Sequence, residues 1–274
     1  MLSVNTNPGA MTALRSLNAT NNDLQVAQNR INTGMKVASA LDDGAVFAIA
    51  QNMRGNVAGY RAVAQSLDRA TSTIEVAVAA GEAISDLLIE MKEKALAAAD
   101  ASLDTASRAA LNEDFKALRD QISTVVNNAE FNGYNMVNNT TAGITALASA
   151  DGTKKITVAD ENLKLSAAIV TVKSTSTIST TAKASTMVAT IESSLKNVNA
   201  ALGRFAAGVK KYDIHSEFVQ KLSDSMQSGI GNLVDADMAV ESAKLQALQV
   251  KQQLGVQALA IANSAPGITL SLFR

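Results

Sequence analysis

The one histidine of this 274-residue chain lies in His215-Ser216-Glu217-Phe218-Val219, which lacks the second histidine a zinc-hydrolase helix needs. A solvated or capping histidine is expected. Asp42-Asp43 could be read as a metal pair, but neither a histidine nor a further carboxylate lies near it in sequence. Capping of a helix start is the expected role. Gly55 and Gly59 have none of the context of a phosphate loop and fit close packing or a hinge. Met91 and Met187 fall at apolar seam positions, as core fillers rather than a cofactor box. The chain has no cysteine, which removes thiol chemistry and disulfides. No constellation supports an enzyme, and no cofactor or metal is expected. The remaining reactive groups are hydroxyls, with ten Ser or Thr among the sixteen residues from Thr171 to Thr186.

Composition points the same way. Aromatics are only 3% of the chain and tryptophan is absent, so Ala, Val and Leu carry the apolar fraction. That suits slim helix-helix packing better than a thick globular core. A net charge of −1 with both signs interspersed leaves no electrostatic footprint for nucleic acid or an anionic membrane, and neither is expected as a partner. The amino terminus has no basic stretch followed by an apolar one, so a cleavable secretory signal is not expected. No apolar run approaches the ~18 residues of a membrane span. Export, if it occurs, needs another route.

Stepping along the chain, Leu67, Ala70, Ile74, Ala77, Gly81, Ile84, Leu88, Met91, Ala95 and Ala98 recur at spacings of three and four. Val188, Ile191, Leu195, Val198, Leu202, Phe205, Val209 and Tyr212 repeat the rule beyond a Ser/Thr-rich interruption. A period of 3.5 keeps one seam of a helix facing a partner helix. The expected fold is mainly α: an elongated antiparallel coiled-coil hairpin with a small β-containing middle, its terminal segments paired as helices.

Those terminal segments are unusual. Asn7-Pro8 starts a helix well, since Asn caps free N–H groups and Pro loses nothing at the first helical position; Gly34 is the expected stop. Ala10, Leu14, Leu17, Leu24 and Ile31 form its stripe, among Asn18, Asn21, Asn22, Gln25 and Gln28. The carboxy-terminal segment sets Leu245, Leu248, Val250, Leu254, Leu259 and Ile261 among glutamines. Faces this polar and this weakly charged suit neither lipid nor an ordinary solvated helix. Neither helix is expected to be stable alone; both are expected to order only when many copies of the chain, or a partner, bury them.

Between the ends, Ser39-Ala40-Leu41-Asp42 reads as a weak capping box opening a short helix through Phe47, Ile49 and Met53. A separate long helix is expected from about residue 66 to 99. Asp104-Thr105 caps another, with its seam at Leu111, Phe115, Leu118, Ile122 and Val125, ending before Asn132-Gly133. Period-two runs at Lys155 to Val158 and Leu163 to Lys173, with a turn at Asp151-Gly152, predict short strands. Helix is expected to resume near Ser185.

Arg30-Ile31-Asn32-Thr33-Gly34, Ser39-Ala40-Leu41-Asp42-Asp43, Phe131-Asn132-Gly133, Asp235-Ala236-Asp237-Met238-Ala239-Val240-Glu241-Ser242 and the closing Leu270-Ser271-Leu272-Phe273-Arg274 together resemble bacterial flagellin. The resemblance covers roughly residues 1 to 140 and 185 to 274; Gly44-Ala45-Val46 departs from the Ala-Ala-Gly more usual there. It implies inner-core terminal helices at 1–38 and 235–274, an outer-core helical rod at 39–140 and 185–234, and a variable surface β domain at 141–184. It also implies a structural subunit that self-assembles into the extracellular flagellar filament for swimming, secreted by type III export. The implied partners are further copies of the chain, the hook-associated junction and cap proteins, and an export chaperone.

On this reading the filament contacts are expected at Leu14, Leu17, Leu24, Arg30, Ile31, Leu245, Leu248, Leu254, Leu259, Ile261, Leu272 and Phe273. Members of the family are often O-glycosylated in the variable region, which here offers Ser174, Thr175, Ser176, Thr177, Ser179, Thr180 and Thr181. That region is also expected to tolerate small deletions or polar insertions. Leu88 to Lys94 aligns with the helix through which the vertebrate Toll-like flagellin receptor recognises many members. Glu90 stands in place of Arg and Lys94 in place of Leu, which implies weak recognition. Two alternatives share some of these features, a hook-filament junction protein and an exported coiled-coil binding module. The first shares the terminal helices; the second predicts charged, independently stable ones.

Overall fold

The computed structural model describes the backbone of residues 6–271 and the side chains of residues 6–264. Five helices and two strands follow one another: α1 (Pro8–Thr33), α2 (Gly44–Ala98), α3 (Thr105–Asn128), β1 (Ile144–Leu147), β2 (Lys155–Val158), α4 (Thr181–Val234) and α5 (Met238–Ser271). They form two compact units, one of Met1–Gly55 with Ser225–Arg274 and one of Asn56–Asp224.

In the second unit the heptad reading of the sequence holds in detail. All ten residues of the first seam, Gly81 among them, are buried. In the second seam Ile191, Val198, Phe205 and Tyr212 are fully buried, while the alternating Val188, Leu195, Leu202 and Val209 are half-buried. Gly81 faces Leu202, and Lys92 pairs with Glu192 at 2.7 Å. Numbers therefore rise along α2 as they fall along α4, and the helices are antiparallel. A Cβ on Gly81 would lie 2.7 Å from Leu202 Cδ2, so the glycine is what lets leucine fill the seam there. α3 folds back along α2, with Lys94 3.2 Å from Asp114, and the Arg108 guanidinium donates to the carbonyls of Ala98, Asp100 and Leu103 at the corner. Asp104 caps α3 through a 3.2 Å bond from Ser107 N.

The expected β region is half present. β2 coincides with the predicted strand at 155–158, but its antiparallel partner is β1, in the register Ile144↔Val158 to Leu147↔Lys155. Tyr212 OH donates to both Ile144 O (3.0 Å) and Ile156 O (3.2 Å), fastening this ribbon to α4, and burial pushes its phenol pKa up. His215 is likewise turned to the protein, its Nε2 2.9 Å from Ala148 O. The strand expected at 163–173 does not form; a single bridge joins Leu165 and Val170. Leu163, Val170 and Val172 are all fully buried, and α4 side chains take the backbone groups a ladder would have used. Thr171 N donates to Ser194 Oγ, and Asn197 Nδ2 donates to the carbonyls of Ala168 and Ile169.

Three further expectations are corrected. The short helix at 47–53 and the long one from residue 66 are one 55-residue helix, α2. Gly55 has open space around it, and Gly59 is needed for packing, since a Cβ there would meet Ala150 O at 2.7 Å. The box at 39–42 does not cap that helix. Asp42 Oδ2 accepts from Ala38 N and Ser39 N within its own turn, and it is Asp43 Oδ1 that accepts from Ala45 N and Val46 N at the start of α2. Finally, α4 begins at Thr181 rather than near Ser185.

The Ser/Thr stretch is strapped down. Ile178 is fully buried with its N–H on Asn112 Oδ1 (2.8 Å), and Arg119 Nη1 donates to Ser176 O (3.0 Å). Tolerance of deletion is therefore not expected at Ile178. Ser174 and Thr175 are exposed, and a polar insertion between them is expected to leave the monomer's thermal melt unchanged.

Candidate assembly surface

In the first unit α1 and α5 pack along each other. Asn7 serves both: its Oδ1 accepts from Ala10 N (3.1 Å) to cap α1, and its Nδ2 donates to Ala262 O (2.7 Å) of α5. Gly255 lies against Leu17, Gln252 Nε2 donates to Asn21 Oδ1 (2.7 Å), and Arg30 Nη1 donates to Glu241 Oε1 (2.8 Å). The pairing is antiparallel. Gly34 ends α1 in the left-handed region (φ 71°), as its sequence position predicts, and its N–H bonds Arg30 O. The chain leaving α1 is then tied to the chain entering α5: Lys36 N and Val37 N donate to Val234 O, and Ala236 N donates to Gly34 O.

The buried and half-buried positions spell out a seam on each helix. On α1 they are Ala10, Ala13, Leu17, Thr20, Leu24, Ala27 and Ile31, with spacings of three and four throughout. On α5 they are Glu241, Leu245, Leu248, Gln252, Gly255, Leu259 and Ala262. Arg30 sits in the last turn of α1 and Glu241 in the first turn of α5, where the helix dipoles favour a cation and an anion respectively. Glu241 is buried and its Oε2 has no hydrogen-bond partner, so the carboxylate depends on Arg30. Arg30→Ala is expected to destabilise the α1/α5 pair by ~3 kcal/mol, and Glu241→Gln by less, because the Arg30 guanidinium left without its anion is a third exposed to water. Hydrogen exchange of α5 amides in the two variants measures this.

The residues expected at subunit contacts thus divide. Leu17, Leu24, Ile31, Leu245 and Leu259 are half-buried and Leu248 is buried, all within the α1/α5 seam. Leu14 (48%), Leu254 (59%) and Ile261 (70%) are exposed. Leu272 and Phe273 lie outside the described residues. Most of the amides are exposed, Asn21 and Gln252 being turned inward to bond each other.

A second stripe, which a list of leucines alone misses, runs along the face of α5 opposite the inner one: Val240, Ala243, Ala247, Val250, Leu254, Gln257 and Ile261. These too are spaced by three and four, and every one is exposed. The outer stripe repeats the inner one two residues on, which places it about 160° around the helix, on nearly the opposite face. The signal was in the sequence, as a second heptad phase occupied mainly by small and aliphatic side chains. Among the described residues no three potential metal-ligating side chains cluster, and no helix is long and apolar enough to cross a membrane.

Comparison with known proteins agrees with this architecture. Residues 4–142 match the bacterial flagellin N-terminal helical region and residues 186–273 the C-terminal helical region. The chain is 52% identical over 272 residues to flagellin FljN of Caulobacter vibrioides, covering 99% of this chain and 98% of that one, and equally so to FljK of the same organism. A flagellin of Brucella melitensis is 35% identical, with both chains covered in full. Among solved structures, a putative flagellar hook-associated protein from Vibrio parahaemolyticus superposes with a TM-score of 0.58 at 13% identity, covering 71% of this chain and all of that one, which speaks for the fold alone. Two helical end regions in the right order, joined by full-length identity, mean that the chain belongs to the bacterial flagellins, the non-enzymatic structural subunits of the extracellular flagellar filament.

Proposed function

We propose that copies of this flagellin join through the second stripe of α5, which carries Leu254 and Ile261, and through the exposed Leu14 of α1. The observation that carries this is the stripe itself, a full heptad seam with no partner helix in the subunit. Isolated exposed leucines are common on soluble proteins, whereas a seam of seven positions at coiled-coil spacing is a surface suited to another helix. Leu17, Leu24, Arg30, Ile31, Leu245, Leu248 and Leu259 then act one step back, by holding α5 in place. The inner-core assignment of 1–38 and 235–274 follows from this role, with the outer rod at 39–140 and 185–234 and the surface region at 141–184. The junction and cap proteins are proposed to meet the same stripe at the ends of the polymer, and an export chaperone to cover it beforehand.

Leu254→Gln and Ile261→Gln test the reading. Both side chains are mostly exposed, so monomer melting is expected to stay put while the critical concentration for polymerisation rises ~100-fold for the pair. Polymerisation at the unmodified concentration would remove the stripe from the interface.

Two surface properties belong to the same reading. Ser174, Thr175, Ser179 and Thr180 are exposed and are the better glycan acceptors, whereas Ser176, Thr177 and Thr181 are half-buried. Glu90 is exposed, and Lys94 is paired with Asp114 on α3. A receptor face matched to Arg and Leu would meet a like charge at Glu90 and would have to desolvate an ammonium at Lys94. Weak activation of the Toll-like flagellin receptor is the expected outcome, with recovery in the Glu90→Arg, Lys94→Leu double variant, read as a reporter-cell dose response.

A further inference from the structure

A pocket of about 240 Å³ opens in the second unit, with Ser66, Arg69 and Thr73 of α2 on one side and Phe131, Tyr134 and Ile144 on the other. Its rim is rigid. Asn132 (φ 50°) and Gly133 (φ 83°) make the two-residue turn of a hairpin closed by Phe131 N to Tyr134 O (2.9 Å) and Tyr134 N to Phe131 O (3.0 Å). The turn leaves Phe131 38% and Tyr134 47% exposed. Arg69 is exposed and makes no ion pair among the described residues. Two aromatic rings and an arginine around a concavity are the composition of a protein-binding hot spot.

The first unit carries a complementary knob. Leu41 is 98% exposed, at the tip of a turn whose backbone is fixed. Asp42 Oδ2 accepts from Ala38 N (3.0 Å), Ser39 N (2.9 Å) and Ser39 Oγ (3.2 Å), and Leu41 N donates to Ser39 Oγ (3.3 Å). The bond from the Ser39 backbone, then those from its hydroxyl and from Ala38, hold the Asp42 carboxyl below its usual pKa. The lock is therefore present at neutral pH and is lost only as pH falls through that lowered value. On one side Val37 is buried and bonded to Val234 O; on the other Asp43 caps α2 with Oδ1 and keeps Oδ2. A leucine held this way pays little ordering entropy on binding.

We propose that in the filament Leu41 of one copy enters this pocket on a second copy, between Phe131 and Tyr134, with the Asp43 carboxylate beside Arg69. The proposal rests on the chain's being a filament subunit, and commits to a contact distinct from the α5 stripe. Chemistry and charge match: an apolar knob flanked by carboxylates meets a mixed hole in which Phe131, Tyr134 and Ile144 stand beside the exposed Arg69 guanidinium. Knob and hole are different surfaces, so each copy offers its knob to one neighbour and its hole to another. A heterologous contact of this kind can be repeated from copy to copy along an open helical filament.

The absence of cysteine makes the test direct. A Leu41→Cys, Tyr134→Cys double variant is assembled and mildly oxidised. A ladder of covalent multimers on a denaturing gel is expected from filaments, and monomer bands alone from unassembled protein. Filaments that form yet give only monomer bands would overturn the contact. Should the variant fail to assemble, single substitutions decide. Leu41→Asn, Arg69→Gln and Asp43→Asn, the last still able to cap α2, are each expected to raise the critical concentration ~10-fold or more, with monomer melting curves superimposed. The Arg69→Gln, Asp43→Asn pair is expected to be no worse than the poorer single variant. An unchanged critical concentration for Leu41→Asn overturns the proposal. If Leu254→Gln still impairs assembly in that case, the α5 stripe stands without it.

Discussion

A chain lacking residues 1–36, or one lacking residues 245–274, is expected to remain a folded, helical, soluble monomer and to form no filaments. The unit of residues 56–224 has its own core, built on Leu67, Ile74, Ile84, Leu88, Phe115, Phe205 and Tyr212, and owes nothing to the end helices. The end helices owe everything to each other. Without α1, the α5 seam of Leu245, Leu248 and Leu259 loses its cover, Glu241 loses Arg30, and the ordered partner of the outward stripe goes with them. Burial of so few aliphatic side chains cannot offset the backbone entropy of a lone helix of this length. Circular dichroism should show a cooperative melt in both truncated proteins, and electron microscopy after seeding should show no fibres. Filaments from either one would falsify the assignment of α1 and α5 as the assembly elements.

The second large effect is in the α2/α4 seam. Leu88 has no exposed surface and lies between Ile84 and Met91, themselves fully buried. Leu88→Asp places a carboxylate where nothing can pair with it, at a cost of roughly 4 kcal/mol or more. For a unit of this size that is a fall in melting temperature of about 10 °C. Ile89→Asp, one residue along and 55% exposed, is the control and should melt within about 1–2 °C of the unmodified protein. Similar melting for both variants would mean that the seam is not where the helices meet. Leu202→Asp should fall between them, because Leu202 packs on Gly81 yet stays half-buried, so the carboxylate keeps part of its hydration.

Much of this was legible before any coordinates, for a physical reason. Where burial follows one heptad phase, as for Leu67 through Ala98, spacing alone identifies the seam residues, and caps such as Asn7, Gly34 and Asp104 are local chemistry that needs no tertiary context. The failures share a cause as well. The break expected between Met53 and residue 66 is absent, and α2 runs through Gly55 and Gly59, the second of them closely packed as expected, because packing outweighs the local cost of glycine. Leu163 to Lys173 alternates like a strand, but hydroxyls and amides of α4 offered its backbone a better set of partners than a second strand could. β1 was not anticipated, since four residues of Ile-Thr-Ala-Leu carry little period-two signal. At the assembly surface the leucines marked the right helices without saying which leucines faced inward. Gln252 and Gly255 occupy seam positions on α5, so hydrophobicity hides the inner phase and exposes the outer one.

The joint where the chain leaves α1 and enters α5 has a mechanical meaning. A lone strand between two rigid bodies is a swivel, since rotation about a few φ and ψ angles turns one end without moving the other. Here two strands pass side by side, and Lys36, Val37 and Ala236 bond across to Val234 and Gly34. Twisting one strand must drag the other or break those bonds together, so the end-helix pair cannot spin freely on its tether. Torque applied to either connection is therefore carried by both, through three backbone hydrogen bonds rather than through a few freely turning dihedral angles.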